Sequence, residues 1–296
     1  NDTLIFRNNG NLNISNTGEQ GIYNYTYQQQ STILFENDEN GVIDIQDVAL
    51  DAIYNYSLIW DTTYTTKQVF DNSGTLKFSN LAHKGLHTNA YRRIDMDIIN
   101  SGRIEANNVG EEAIFNKTRT DGSFLHSQLS FENSGEIDIT NNQKRAIYNL
   151  NENGIMDFIS SGNIKIDTGT QEGIYNLNIR TSYDRYDSTA FVFQNSGTID
   201  IQNTNYEGFK SVNYAGDFTI QNDGLIHLQK IKREALETVN YSDSLFFTNN
   251  GLIYLHDNDK EALYNSNNSL DKLQFTNTTC GLSLIHISEP TRHASI

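Results

Sequence analysis

The feature that most constrains this chain is a glycine that returns about every 30 residues along almost its whole length. Nine such glycines each close a short turn, and a tenth opens a further copy: Gly10, Gly41, Gly74, Gly102, Gly135, Gly162, Gly197, Gly224, Gly251 and Gly281. A fixed period in this range is typical of repeat proteins, whose units pack only on their neighbours. We expect glycine here because the turn requires a positive φ, as in the Asn-Ser-Gly turns that end at Gly74, Gly102, Gly135 and Gly197.

Apolar residues around each glycine follow the two-residue period of β-strands. In all nine copies the second and fourth residues after the glycine are apolar, as at Ile137 and Ile139. The eleventh residue is Ala or Gly, followed by Ile, Leu or Phe, and a further strand precedes the glycine. Three short strands cannot bury their apolar faces alone, but stacked copies pair each strand with its equivalent in a parallel sheet. The chain is therefore predicted to be an all-β, right-handed parallel β-helix of about nine coils with three short strands each.

Two columns of asparagine accompany the turns. One lies two residues before the glycine and includes Asn72, Asn100, Asn133 and Asn195, and the other lies fourteen residues after the glycine. Stacked amides can hydrogen-bond from coil to coil and satisfy polar groups where the chain turns. We predict that these asparagines, like the turn glycines, have a structural role.

The repeat is expected to stop at Gly281. The position eleven residues after this glycine holds Arg292, where every earlier coil has Ala or Gly. Residues 282–292 resemble the translated read-through of a sequencing adapter, so we interpret 282–296 as a non-native tail. Residues 1–281 are then a single solenoid domain, and we expect it to be a fragment of a longer protein.

Composition argues against several classes of partner and site. With 37 Asp and Glu against 21 Lys and Arg, the chain has a formal net charge of -16, which disfavours nucleic acid and anionic membranes. A single cysteine excludes a disulfide framework, and the seven histidines show no metal-ligand spacing. We predict no cofactor and no metal site. Calcium stays an open alternative, because acidic runs such as 36–41 and 257–259 offer oxygen ligands.

Candidate binding residues lie where the coils differ. Because the spacing from glycine to Ala or Gly is constant, we expect all length variation in the loops between the third strand of one coil and the next coil. Loops that vary along one edge of a solenoid are often its binding edge. The longer ones contain Trp60 and the group Tyr183, Asp184 and Arg185. The alternative is that these loops are solvated and merely tolerate insertion.

An outward-facing aromatic column is predicted beside these loops, thirteen residues after the glycine. Its members are Tyr23, Tyr54, Phe115, Tyr148, Tyr175 and Tyr264. Aromatic faces stacked along a rod can bind sugar rings or a partner protein. The alternative is that the loops fold over the rings and make them a second small core.

With its repeat Phe-x-Asn-x-Gly-x-Ile-x-Ile followed by Ala/Gly-Ile-Tyr-Asn, the chain resembles the pectate-lyase-like β-helix proteins that bacteria secrete or display. The resemblance is closest to the repeat regions of large surface adhesins. It implies an extracellular or cell-surface module that binds a surface glycan, or a protein of a host or neighbouring cell.

The competing hypothesis is a polysaccharide lyase or glycoside hydrolase of the β-helix class. Such an enzyme needs two carboxylates placed around the scissile bond. One outward column offers Asp44, Glu105, Asp138 and Asp200, but Lys77, Lys165 and His227 share that column, as on a mixed surface. We therefore expect a structural or adhesive module rather than an enzyme. The adhesive interpretation predicts no deep cleft with clustered carboxylates or basic residues at the loop edge.

Overall fold

The computed structural model describes residues 2–27, 31–58, 66–120, 127–167, 171–180, 189–278 and 285–286. These residues form 29 β-strands joined by turns and loops. No helix in the described ranges is long and apolar enough to cross a membrane.

The strands form three sheets, numbered here in the order in which the chain visits them. Sheet 1 contains β1 (Asp2–Asn8), β4 (Ser31–Asn37), β7 (Thr66–Asn72), β10 (Ile94–Asn100), β13 (Gln128–Asn133), β16 (Ile155–Ser160), β19 (Ala190–Asn195), β22 (Asp217–Asn222), β25 (Leu245–Asn249) and β28 (Leu273–Asn277). Sheet 2 contains β2 (Asn11–Ser15), β5 (Val42–Gln46), β8 (Thr75–Leu81), β11 (Arg103–Val109), β14 (Glu136–Thr140), β17 (Asn163–Asp167), β20 (Thr198–Gln202), β23 (Leu225–Gln229), β26 (Leu252–His256) and β29 (Ile285–His286). Sheet 3 contains β3 (Ile22–Tyr27), β6 (Ile53–Leu58), β9 (Leu86–Tyr91), β12 (Ile114–Arg119), β15 (Ile147–Glu152), β18 (Ile174–Ile179), β21 (Phe209–Asn213), β24 (Leu236–Asn240) and β27 (Leu263–Asn267).

Each coil contributes one strand to each sheet, and every strand pairs in parallel with its equivalents in the neighbouring coils. The predicted all-β, right-handed parallel β-helix of nine coils is therefore confirmed. Strands β28 and β29 continue sheets 1 and 2 beyond the ninth coil, and β29 pairs with β26. Strand β29 lies within residues 282–296, whose non-native origin stays a prediction.

The core is built from columns of equivalent side chains. Phenylalanines of sheet 1 stack from coil to coil, with ring centroids 4.5 Å apart for Phe35 and Phe70 and 5.0 Å apart for Phe131 and Phe158. The second and fourth positions after each turn glycine supply facing columns of mostly Ile and Leu from sheet 2, which are buried over most of the rod. This pattern confirms the predicted apolar positions, since strand residues two apart point to the same face.

The predicted asparagine column is a hydrogen-bonded ladder inside the turn between sheets 1 and 2. Each amide nitrogen donates to the next amide oxygen, at 2.7 Å from Asn72 to Asn100 and from Asn100 to Asn133. The ladder then passes to the hydroxyl of Ser160 at 3.2 Å, and a second run begins at Asn195. Asn72, Asn100, Asn133 and Asn195 are all buried.

The reason for glycine in this turn differs from our expectation. Gly74, Gly102, Gly135 and Gly197 do not have a positive φ; among the described glycines only Gly216 does. A Cβ atom at Gly135 would instead lie 2.0 Å from the carbonyl oxygen of Gly102, and equivalent clashes occur at the other three. Glycine is required because consecutive turns stack closer than any side chain allows.

Positive φ occurs at another corner, where the strands of sheet 2 end. The residues six positions after the turn glycines have φ between 52° and 60°: Asn16, Asp47, Asn80, Asn108, Asn141, Asn203, Lys230 and Asp257. Asn and Asp tolerate this left-handed conformation better than other residues with a side chain. Lys230 is the exception in the column. In the sequence this corner is marked by Asn or Asp at the sixth position after most turn glycines, a pattern that the predictions above did not use.

Length variation is not confined to the loops between sheets 3 and 1. The turn from β4 to β5 contains four residues, 38–41, where the turn from β7 to β8 contains two. Asn37 therefore lies four residues before its glycine, yet it pairs with Asn72 and donates to it at 2.7 Å. Counting back from the glycine missed Asn37 because the insertion is inside the turn.

Candidate ligand-binding face

The outward side of sheet 3 carries the predicted aromatic column. Strand registers place Tyr23 beside Tyr54 and align Phe115, Tyr148 and Tyr175 on consecutive coils. His87, Lys210 and Glu237 interrupt the column before Tyr264. The column predicted from sequence is therefore one line of side chains. The other predicted residues, Trp60, Tyr183, Asp184 and Arg185, lie outside the described residues.

Cationic side chains cover the middle of this column. The guanidinium of Arg145 lies 4.5 Å from the ring centroid of Tyr148 and 4.9 Å from that of Tyr175. Lys84 lies 5.5 Å from the ring of Phe115 in the same way. Burial raises the pKa of Tyr148 and of Tyr175. These rings already have partners, which leaves little of their faces for a ligand.

The covering cations belong to a column of charges at the corner between sheets 2 and 3, ten residues after each turn glycine from Gly41 onward. Over five coils the sign alternates: Asp51, Lys84, Glu112, Arg145 and Glu172. Ion-pair distances within the column are 3.7 Å from Lys84 to Glu112, 3.4 Å from Arg145 to Glu112 and 3.5 Å from Arg145 to Glu172. Sequence analysis missed this column, although its constant position before the Ala or Gly was a usable signal.

The first two coils present a second arrangement, a group of tyrosines that we call the tyrosine face: Tyr23, Tyr25, Tyr27, Tyr54 and Tyr56. In the first coil the exposed fractions are 51% for Tyr23, 42% for Tyr25 and 46% for Tyr27. Ring centroids lie 5.5 Å apart between the coils, from Tyr23 to Tyr54 and from Tyr25 to Tyr56, with planes within 26° of each other.

Rings in the same strand of this face are similarly close. Tyr23 and Tyr25 are 5.6 Å apart, and Tyr25 and Tyr27 are 6.1 Å apart, again nearly parallel. Burial raises the pKa of Tyr54 to about 12, so its hydroxyl is neutral at physiological pH. The tyrosine face is thus an uncharged aromatic surface two coils high. Of these five tyrosines, only Tyr23 and Tyr54 were predicted from the sequence. The alternating tyrosines of 22–27 were the signal for Tyr25 and Tyr27.

A further pair of exposed tyrosines directly follows two strands of sheet 3, with Tyr214 after β21 and Tyr241 after β24. The rings of Tyr214 and Tyr241 stack with centroids 4.4 Å apart and planes within 1°. Both are exposed to the same extent as the tyrosines of the first coil. This pair stacks from coil to coil as the tyrosine face does, but it forms a single column of rings.

An open depression of about 510 Å³ lies on the outward side of sheet 2 and is lined by Asp44, Lys77, Arg103, Glu105 and Asp138 among others. The guanidinium of Arg103 stands between the carboxylates, 2.9 Å from Glu105 and 3.7 Å from Asp138. Lys77 approaches Glu105 at 3.7 Å. This depression contains clustered charges, but it lies away from the loop edge, and Arg103 occupies the space that a scissile bond would need between two carboxylates.

The described residues contain one group of three acidic side chains close enough to hold a cation, namely Glu207, Glu234 and Glu237, whose nearest ligand atoms lie within 4.8 Å of one another. Basic groups already contact it: Lys210 lies 2.7 Å from Glu237, and Arg233 lies 3.2 Å from Glu207. The group therefore extends the corner charge column. In the acidic runs considered for calcium, Glu36 pairs with Arg7, and Asn258 accepts a hydrogen bond from the Ile231 amide.

No protein-family model matches the chain, and no curated protein or solved structure is similar enough to count as a match. The fold and its side chains therefore carry the functional argument. The strand pairing shows the parallel β-helix itself. Fold alone does not specify a ligand.

Proposed function

We propose that this chain is a structural and adhesive repeat module of a bacterial surface or secreted protein, and that the tyrosine face binds neutral glycans. The observation that carries the proposal is the group of nearly parallel tyrosine rings on coils one and two, which are exposed on coil one and partly buried on coil two. Tyrosine offers a large, rigid contact area at low entropic cost, with a hydroxyl for hydrogen bonding. A rod of stacked coils suits this role because it presents the face at a distance from any anchor.

Charge favours a neutral ligand over an acidic one. The formal net charge of -16 repels polyanions such as pectate over long range. No Lys or Arg belongs to the tyrosine face itself. Neutral hexose chains present apolar C–H faces to aromatic rings without this repulsion, so we expect them to bind better than uronic-acid polymers.

The enzyme hypothesis makes a separate prediction, namely turnover of the bound polysaccharide. The depression on sheet 2 offers the carboxylates Glu105 and Asp138, but Arg103 lies between them. Glycoside hydrolysis needs that space for the sugar and, in inverting enzymes, for water. We propose binding without cleavage.

The test is a glycan array followed by calorimetric titration of neutral hexose oligosaccharides and polygalacturonate, with and without calcium. The Y25A/Y56A variant removes two aligned rings of the tyrosine face and is expected to weaken neutral-glycan binding at least about tenfold. Formation of new reducing ends or unsaturated products is measured in the same samples. Product formation would overturn the proposal that the module only binds.

The matched control is the Y214A/Y241A variant, which removes two stacked, exposed rings that directly follow strands of the same sheet. This variant is expected to bind the glycans as the original chain does. Equal losses in both variants would show that exposed tyrosines act non-specifically. Unchanged binding in Y25A/Y56A would remove the tyrosine face from the site.

A further inference from the structure

Two histidines meet on the outward side of sheet 2, on a different sheet from the tyrosine face. His227 lies on β23 and His256 on the neighbouring β26, and their Nε2 atoms are 2.7 Å apart. The ring planes are within 28° of each other and the centroids are 5.0 Å apart, so the rings meet edge to edge through these two nitrogens. Sequence analysis found no metal-ligand spacing among the histidines because these two are 29 residues apart and become neighbours only when coils stack.

A carboxylate accompanies the other nitrogen of each ring. His227 Nδ1 lies 3.0 Å from an oxygen of Asp200, and His256 Nδ1 lies 3.0 Å from an oxygen of Asp257. A carboxylate accepts hydrogen bonds, so the Nδ1 of His256, which is hydrogen-bonded to Asp257, is assigned as the protonated nitrogen. The ion-pair contact with Asp200 favours the same assignment for His227. When both rings are neutral, their Nε2 lone pairs then face each other.

Two lone pairs at this distance repel unless a positive charge lies between them. Either a shared proton or a metal ion can supply that charge. Neutral imidazole is a preferred ligand of Zn²⁺, Cu²⁺ and Ni²⁺, and metal-bound histidines commonly donate their other N–H to a carboxylate. The hydrogen-bonded pair of Asp257 and His256 reproduces that arrangement, and Asp200 lies in ion-pair contact with His227.

We propose that His227 and His256 form a binding site for a divalent transition-metal ion, with Asp200 and Asp257 as positioning residues. Bonds of about 2.0–2.1 Å at a tetrahedral angle place two ligand nitrogens about 3.3 Å apart, so the rings need to separate only slightly. The histidine side chains are 26% and 31% exposed, which leaves the remaining metal positions to water or to a ligand from outside.

The surroundings of the pair favour a cation. The charged groups in contact with the rings are the two carboxylates, and the ring of Tyr254 packs edge-on against His227 with centroids 6.4 Å apart. The described residues show no Lys or Arg paired with either histidine, in contrast to the group around Glu207. The inference is independent of glycan binding because it uses other residues on another sheet.

Calorimetric titration of the full chain with NiCl₂ and with ZnCl₂ tests the proposal. One equivalent of metal is expected to bind, with each of H227A and H256A lowering the affinity at least about tenfold and D200N and D257N lowering it about tenfold. The matched controls are H83A and H286A, both expected to bind as the original chain does. The backbone of His286 is aligned with that of His256, so H286A also checks that the pair suffices.

Circular dichroism verifies that each variant keeps its strands, and the visible spectrum with Co²⁺ reports imidazole coordination directly. A Co²⁺ spectrum that persists in H227A and H256A would overturn the site. The same conclusion would follow from a control that loses affinity as strongly as H227A. Absence of metal binding would show that the two rings share a proton only, and would also overturn the proposal.

Discussion

At the scale of single residues, the turn glycines show how stacking imposes a requirement that no isolated coil has. The carbonyl oxygen of Gly102 would lie 2.0 Å from a Cβ atom at Gly135, whereas nothing lies within 4 Å of a Cβ atom at Gly10. The repeat predicted where glycine stands, because its position is periodic. It could not predict the reason, because the clash comes from the coil before.

We expect Gly135→Ala to lower the free energy of unfolding by about 3 kcal/mol, since the stacked turn must move apart and weaken the asparagine ladder beside it. Urea denaturation followed by circular dichroism measures the change. Gly10→Ala adds the same methyl group to the equivalent turn without a clash, so its midpoint should stay within about 0.5 kcal/mol. Equal effects of the two substitutions would indicate that φ, not close approach, explains the glycine.

At the scale of strands and corners, the sequence predicted which strand residues point outward, but it did not predict the charged column at the corner between sheets 2 and 3. The outward column from Tyr23 to Tyr264 followed from counting along each strand, because neighbouring strand residues point to opposite faces. The corner column that contains Arg145 and Glu207 lies outside that alternation. Its burial depends on how two sheets meet, which only the coordinates show.

The corner column predicts a pH dependence of stability. Glu207 is fully buried, and burial raises its pKa above the ordinary value. The folded state therefore binds this proton more tightly than the unfolded state, so the stabilising effect of the proton is lost as pH rises above about 4.3. Glu207→Gln should raise the free energy of unfolding at pH 7.5 by about 1 kcal/mol, and the gain should shrink towards pH 4.5.

Glu111 is the matched control with the opposite sign. Burial opposes the shift, but hydrogen bonds from Lys144 and Lys84 lower the pKa of Glu111 to about 2. Its ionised form stabilises the fold at neutral pH, and this contribution is lost as pH falls through the lowered pKa. Glu111→Gln should therefore cost up to about 1 kcal/mol at pH 7.5. Urea titrations at the two pH values distinguish the variants, and a loss of stability in Glu207→Gln at pH 7.5 would contradict the assignment.

At the scale of the whole rod, coils are interchangeable only as far as their columns agree. The hydrophobic columns repeat in every coil, and the asparagine ladder is replaced by a serine only at Ser160, which is why the fold class and coil number could be predicted from sequence. The corner charges alternate between Asp51 and Glu172, so along this stretch the electrostatic repeat is two coils. Along these coils the packed columns therefore repeat with every coil, whereas the sign of the corner charge repeats with every second coil.

This mismatch predicts that removing two coils is less harmful than removing one. Deletion of residues 103–162 joins Gly102 to Asn163 and places Lys84 beside Glu172, and Asn100 beside Asn195. Deletion of residues 136–162 also restores an unbroken ladder, from Asn133 to Asn195, but it removes Arg145 and brings the buried Glu112 and Glu172 together. Because like charges then meet in a buried corner, the longer deletion should be more stable than the shorter one by about 2–3 kcal/mol. Circular dichroism and urea midpoints of the two shortened chains measure the difference. Equal midpoints would show that the charge column does not control stacking. If the chain with the longer deletion did not fold, coils could not be exchanged at all.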